Sequence, residues 1–261
     1  AGVYNDHGTV ILNSGTSIEG NAIRGITAEG VYGSEGGLGG GVYNDHGMVI
    51  MNGDSSISDN RAGAGGGVYT NGGTLVMNQA SSISSNTGSG IYNNGGTVNM
   101  HDSSSVLDNT NEVYGGGVYN RGGTFNMYDS ASISDNQAGD SGGGVYNTEG
   151  GSFVMNDESS IAGNDADEHG GGVYNGGGTV TMNGASFISR NSADEGGGIF
   201  NGDTVTLNGA SSISGNTAFI GGGILNDGSV VMNGASSISG NSAVEVCLLY
   251  TSDAADEEDS V

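Results

Sequence analysis

Apolar residues recur in fixed columns along this chain. Aligned on the residue after each glycine run, one column reads Val3, Val42, Val68, Ile91, Val118, Val145, Val173, Ile199, Ile224, all β-branched. Such residues suit a buried position on a pleated strand. The next column is Tyr4, Tyr43, Tyr69, Tyr92, Tyr119, Tyr146, Tyr174, Phe200, Leu225. A second strand has two wholly apolar columns, from Val10 and Leu12 in the first unit to Val230 and Met232 in the last. The column between them is mixed: Ile11, Ile50, Val76, Asn99, Asn126, Val154, Thr181, Thr206, Val231. Alternation of period two predicts a strand with one face in and one face out. A third strand carries Ile18, Ile57, Ile83, Val106, Ile133, Ile161, Ile188, Ile213, Ile238.

Spacing sharpens the pattern. The Leu/Met column precedes the Ile column by six residues in all nine units, and an asparagine follows three residues later (Asn21, Asn60, Asn86, Asn109, Asn136, Asn164, Asn191, Asn216, Asn241). The large length variation falls between that asparagine and the next glycine run. The period is 23 to 28 residues, except 39 between the first two units. Insertions confined to one point predict one loop on one face. Three short strands per unit and no helical periodicity predict an all-β parallel β-helix, a solenoid of about nine three-strand coils. Coils stacked ~4.8 Å apart give a rod of roughly 40 Å. Valine, methionine and isoleucine then fill the bore, and asparagine amides can stack at a bend. The crossover rule for parallel strands predicts a right-handed coil.

The pattern GGGVYN…GGTVTMN…SSISGN resembles the right-handed parallel β-helix repeats of bacterial surface proteins, of the pectate-lyase-like superfamily. Chlamydial polymorphic outer-membrane proteins carry a related GGA(I/V) and FxxN pattern, and similar repeats occur in large cell-wall proteins of Gram-positive gut bacteria. The resemblance covers residues 1 to about 243 and departs from the chlamydial pattern at Asn175-type and Ile188-type positions. It implies an extracellular or cell-surface solenoid. It does not imply a reaction, because one solenoid hosts many functions.

The chain divides into a repeat domain, 1–243, and a non-repeat acidic tail, 244–261. Residue 1 already lies inside a repeat, so the repeat domain reads as a fragment without its caps. Val246-Cys247-Leu248-Leu249-Tyr250-Thr251-Ser252-Asp253-Ala254-Ala255-Asp256-Glu257 looks like translated sequencing-adaptor sequence, and the tail reads as artefactual and disordered. The longest insertion, Ala22 to Gly41, holds Gly30-Val31-Tyr32-Gly33, which echoes the strand motif. It reads as a protruding loop or a decayed rung.

Charge narrows the partners. Against 29 Asp and Glu stand four Arg and no Lys, a net charge of −25, which becomes −20 without the five acids of 247–261. Nucleic acid is excluded as a partner, since its affinity comes from basic residues on phosphates. No apolar run reaches the ~20 residues of a transmembrane helix. The repeat domain has no cysteine, which excludes a Cys-rich metal scaffold.

The candidate binding surface is the tyrosine column: Tyr43, Tyr69, Tyr92, Tyr119, Tyr146 and Tyr174. If Val173 points inward, Tyr174 points outward, and exposed aromatic rings suit glycans or other cell-surface ligands. The alternative is that the rings cover the glycine corners. Asp6-His7 and Asp45-His46 occupy equivalent places in adjacent units and offer two carboxylates and two imidazoles to a metal. The alternative is a duplicated exposed corner. His101 and His169 stand alone and read as solvated. Loops with Asp165, Asp167, Glu168 and with Asp194, Glu195 offer oxygens to Ca2+, the one cofactor in view, but lack the nonapeptide spacing of calcium-binding β-rolls.

No catalytic residues stand out. The cations Arg24, Arg61, Arg121 and Arg190 fall on different coils, no pair of carboxylates separates from the loops, and the serine runs lack a paired histidine. The expectation is a non-enzymatic, adhesin- or stalk-like surface protein. A carbohydrate-active β-helix is the alternative: a polysaccharide lyase or hydrolase fragment, or a glycan-binding module. An ice-binding face on Thr9, Thr74, Thr97, Thr124, Thr179 and Thr204 comes third, since only Thr179/Thr181 and Thr204/Thr206 supply two files.

Overall fold

The computed structural model describes residues 1–23 and 37–244. The Gly30–Gly33 echo, Arg24 and residues 245–261 with Cys247 lie outside the described residues.

The apolar columns become three parallel sheets of nine strands each. The first sheet runs from Val3–Asp6 to Ile224–Asn226, the second from Thr9–Leu12 to Ser229–Met232, the third from Ser17–Glu19 to Ser237–Ser239. Like residues pair with like: Val3 with Val42, Tyr4 with Tyr43, Asn5 with Asn44. The chain is a parallel β-solenoid, and no helix occurs among its described residues. Accordingly, no helix is long and apolar enough to cross a membrane.

A fourth sheet was not expected. Six short strands, from Thr110–Asn111 to Ser242–Ala243, pair in the segment that the sequence assigns to a loop. Isolated bridges Ala22–Arg61, Arg61–Thr87 and Thr87–Thr110 carry the same file back to the first coil. These strands bury Asn111, Ala138, Ala166 and Ala218 and no large apolar side chain, so they leave no trace among the large apolar columns. Each coil therefore has three strands in the first units and a fourth, of two to four residues, in the later units.

The bore is apolar and fully buried. Val49, Met51, Ile57 and their counterparts through Ile213 are fully buried in one continuous cluster. The glycine runs let two backbones meet. Gly170 adopts φ +65, and a Cβ on Gly171 would stand 2.1 Å from the Ser192 carbonyl oxygen in the next coil. Only glycine fits such an approach.

Two amide ladders line the interior. In the one after the third sheet, Asn60 Nδ2 donates to Asn86 Oδ1 (3.1 Å), Asn86 to Asn109 (2.9 Å), and so on to Asn241. The other lies in the first sheet, two residues after each β-branched residue. Here Asn93, Asn120, Asn147, Asn175 and Asn201 donate in turn to the next asparagine at 2.7 to 2.9 Å. Thr70 interrupts it: Asn44 Nδ2 lies 3.3 Å from the Thr70 hydroxyl, and Asn93 Oδ1 is buried without a partner. A third buried column, Ser55, Ser81, Ser104, Ser159, Ser186 and Ser211, has hydroxyls with no hydrogen-bond partner, and Ala131 fills the equivalent place.

Candidate functional site

Alternation along the first sheet sets the site. Val145 and Asn147 point into the bore, so Tyr146 between them points out. With coils in register, the tyrosines form one strip. Tyr4, Tyr43, Tyr69, Tyr92 and Tyr119 stack face to face with centroids 4.5 to 5.2 Å apart. Tyr119 meets Tyr146 tilted, and stacking resumes through Tyr174 to Phe200. Each ring face is covered by its neighbours, so ring edges and hydroxyls meet solvent. Exposure falls from 63 % at Tyr4 to 8 % at Tyr69. Burial pushes the Tyr69 phenol up to about 12 and raises those of Tyr43, Tyr92, Tyr119, Tyr146 and Tyr174. All stay neutral hydrogen-bonding groups at physiological pH. Tyr174 also leans over Gly176, where a Cβ would lie 2.4 Å from the ring.

Polar residues border the strip on two sides. On one, Asn94 donates to Asn71 and Asn71 to Asp45, both at 2.9 Å, and Arg121 Nε pairs with Glu149 at 2.9 Å. Asn94 beside Tyr69 and Arg121 beside Tyr92 partly offset the rise that burial imposes on these phenols. On the other side runs a file of backbone bridges, Tyr114–Ser141–His169–Glu195. Tyr114 packs on Tyr146 at 4.7 Å, and the His169 ring stands edge-on to Tyr174 and Phe200 at 6.2 and 5.0 Å.

His169 is thus not a lone solvated side chain; it is 31 % exposed and partnered throughout. Its Nδ1 lies 3.2 Å from Ser141 Oγ and 3.8 Å from Glu168, and its Nε2 lies 3.4 Å from Glu195. Ser141 in turn donates to Asp140 at 2.5 Å. Sequence reasoning missed Asp140, Ser141 and Tyr114 because the segment between the asparagine and the glycine run was assigned to a loop. Counted back from the glycine run, Tyr114, Ser141, His169 and Glu195 each precede the first glycine, and that signal was available.

Compared with known proteins, the chain matches no family model, no curated protein and no solved structure. The reading of function rests on this geometry.

The other candidate residues divide. Asp6-His7 and Asp45-His46 do fall in adjacent coils, with imidazoles stacked at 5.3 Å. Nδ1 of each histidine is taken by the aspartate beside it, at 2.7 Å for His46 and Asp45. The acidic loops split by direction. Asp165, Asp167 and Asp194 line an open cleft of about 440 Å³ with Ser192, Thr217 and Phe219 on the fourth sheet, while Glu168 and Glu195 turn toward His169. The threonine file is in register but is broken by Met48 and Ser152. His101 stacks on Tyr128 at 4.8 Å.

Proposed function

We propose that this chain is a non-enzymatic rod of the cell exterior, adhesin- or stalk-like, that presents its tyrosine strip to glycans or other cell-surface ligands. One observation carries the reading: the strip runs unbroken from Tyr4 to Phe200 with hydrogen-bonding files along it. A regular row of phenol edges bordered by amides and carboxylates suits a linear partner rich in hydroxyls, because the phenol recurs from coil to coil. Ring faces are spent on one another, so recognition would run through edges and hydroxyls rather than by stacking on sugar rings. The acidic surface keeps such a rod soluble and argues against nucleic acid. The repeat's resemblance to right-handed, pectate-lyase-like β-helices of bacterial surfaces supports an exported setting.

A second reading, a carbohydrate-active solenoid, is favoured by one feature. Asp140 and Glu168 bring carboxylate oxygens within 4.8 Å of each other beside the strip. Retaining glycosidases hold their two carboxyl groups about 5–5.5 Å apart. Incubation of the chain with a panel of plant, bacterial and host polysaccharides separates the two. The rod reading predicts retention of a glycan in pull-down, weakened by Tyr92→Ala, with no release of reducing ends or unsaturated sugars. Release of either product, abolished by Glu168→Gln, would overturn it.

A further inference from the structure

We propose that Asp140, Glu168 and His169 hold a divalent transition-metal ion of the zinc class at the edge of the aromatic strip. This site does not depend on the glycan reading. Ligand atoms of the three residues lie within 4.8 Å of one another, and no other group of three among the described residues does so. Zinc bound at about 2.0–2.2 Å from N and O ligands needs them roughly 3.4 Å apart, so small side-chain rotations close the site.

The backbone is already set for it. Asp140 comes from one coil and the Glu168-His169 pair from the next, and the amides of both Glu168 and His169 donate to the Asp140 carbonyl, at 2.8 and 3.2 Å. Glu195, one coil further, donates its amide to the Glu168 carbonyl at 2.8 Å. The rings of Tyr174 and Phe200 hold the imidazole edge-on. Nε2 lies 3.4 Å from Glu195, and Nδ1 is on the side of Glu168 and of the Ser141–Asp140 pair. A carboxylate behind the imidazole is the usual arrangement that fixes the tautomer of a metal-bound histidine and raises its basicity. Glu195 is therefore a positioning residue, and Asp140, Glu168 and His169 are the ligands.

The donor set selects the ion. One imidazole and two carboxylates suit zinc and its neighbours, whereas Ca2+ takes six to eight oxygens. Three protein ligands leave a coordination position open. The surplus negative charge of the chain raises the local cation concentration. Asp45-His46 provides the contrast: its imidazole and carboxylate pair with each other at 2.7 Å, and no third ligand atom among the described residues gathers with them.

The test is a ZnCl2 titration of the full chain by calorimetry, paired with tyrosine fluorescence, which is unobscured because the chain contains no tryptophan. The expected result is one saturable site of micromolar affinity or tighter that an equal concentration of Ca2+ does not displace. Loss of a ligand in His169→Ala should abolish that site. Glu195→Gln should weaken it about 10- to 100-fold, the usual cost of losing a partner behind a metal-bound histidine. His46→Ala should leave it unchanged. Circular dichroism confirms that each variant is folded, and Co2+ substitution should add a visible absorption band to the wild type that His169→Asn lacks. Zinc binding unchanged in both His169 variants, displacement by equimolar Ca2+, or loss of binding in His46→Ala would overturn the assignment.

Discussion

The early coils, up to Asn109, and the later coils, from Thr110 on, share an interior and differ outside. Both halves stack the same Val, Met and Ile columns, and in both the second glycine of the run meets backbone of the next coil: Gly66 against Thr87 and Gly171 against Ser192. Outside they part. In the early half the file before the glycine run holds Leu38 and Ala64, and the segment after the asparagine makes only isolated bridges. In the later half that file holds Ser141, His169 and Glu195, and the segment is a true sheet. Stacking constrains every inward position in every coil, because each contacts its counterparts above and below. The segment between asparagine and glycine varies in length and buries few side chains, and there the chemistry accumulates.

This contrast can be broken experimentally, most severely at the glycines. Gly66→Ala and Gly171→Ala should each cost about 3 kcal/mol or more, since the clash is with backbone and cannot relax by a rotamer change. Equal losses in chemical denaturation support one interior lattice; a tolerated change in either half means the halves are packed differently.

Alkaline pH comes next. The Tyr69 phenol is raised from 10 to about 12, so its folded form holds the proton more tightly than its unfolded form. Its contribution is fully present below pH 10 and is lost as pH rises toward 12. A shift of this size corresponds to about 2–3 kcal/mol. Thermal melts followed with tyrosinate absorbance should show stability falling across that window, and a melt that is flat to pH 12 contradicts the buried strip.

Smaller effects sharpen the account of the polar interior. Thr70→Asn should complete the first-sheet amide ladder and supply the missing donor to Asn93, adding about 1 kcal/mol. Ser104→Ala should be neutral or stabilising by up to about 1 kcal/mol, as Ala131 already occupies that column. A loss above about 1 kcal/mol in either variant would show that these groups have partners. Smallest of all, Arg121→Ala removes a solvent-facing ion pair with Glu149 and should change stability by less than about 1 kcal/mol.

The interior was legible in the sequence because it repeats. Fixed spacing from Leu/Met to Ile to Asn gave the sheets, the register and the Asn21-type ladder directly. The first-sheet ladder was not foreseen, since Asn44 or Asn147 after an outward tyrosine looks like a polar surface residue until alternation places it inside. The fourth sheet escaped because Ala138 and Ala166 are too small to stand out as core. The acid–histidine cluster escaped for a different reason. Asp140 and His169 belong to adjacent coils in a segment assigned to a loop, and stacking brings them together.

The most direct test of the claim that the later coils carry the metal site is residue-resolved. Tyrosine and phenylalanine ring resonances of the full chain, followed by NMR during addition of Zn2+, should shift at Tyr114, Tyr146, Tyr174 and Phe200 and stay in place at Tyr43 and Tyr69. Shifts of equal size along the whole strip, or confined to the early coils, would contradict the account.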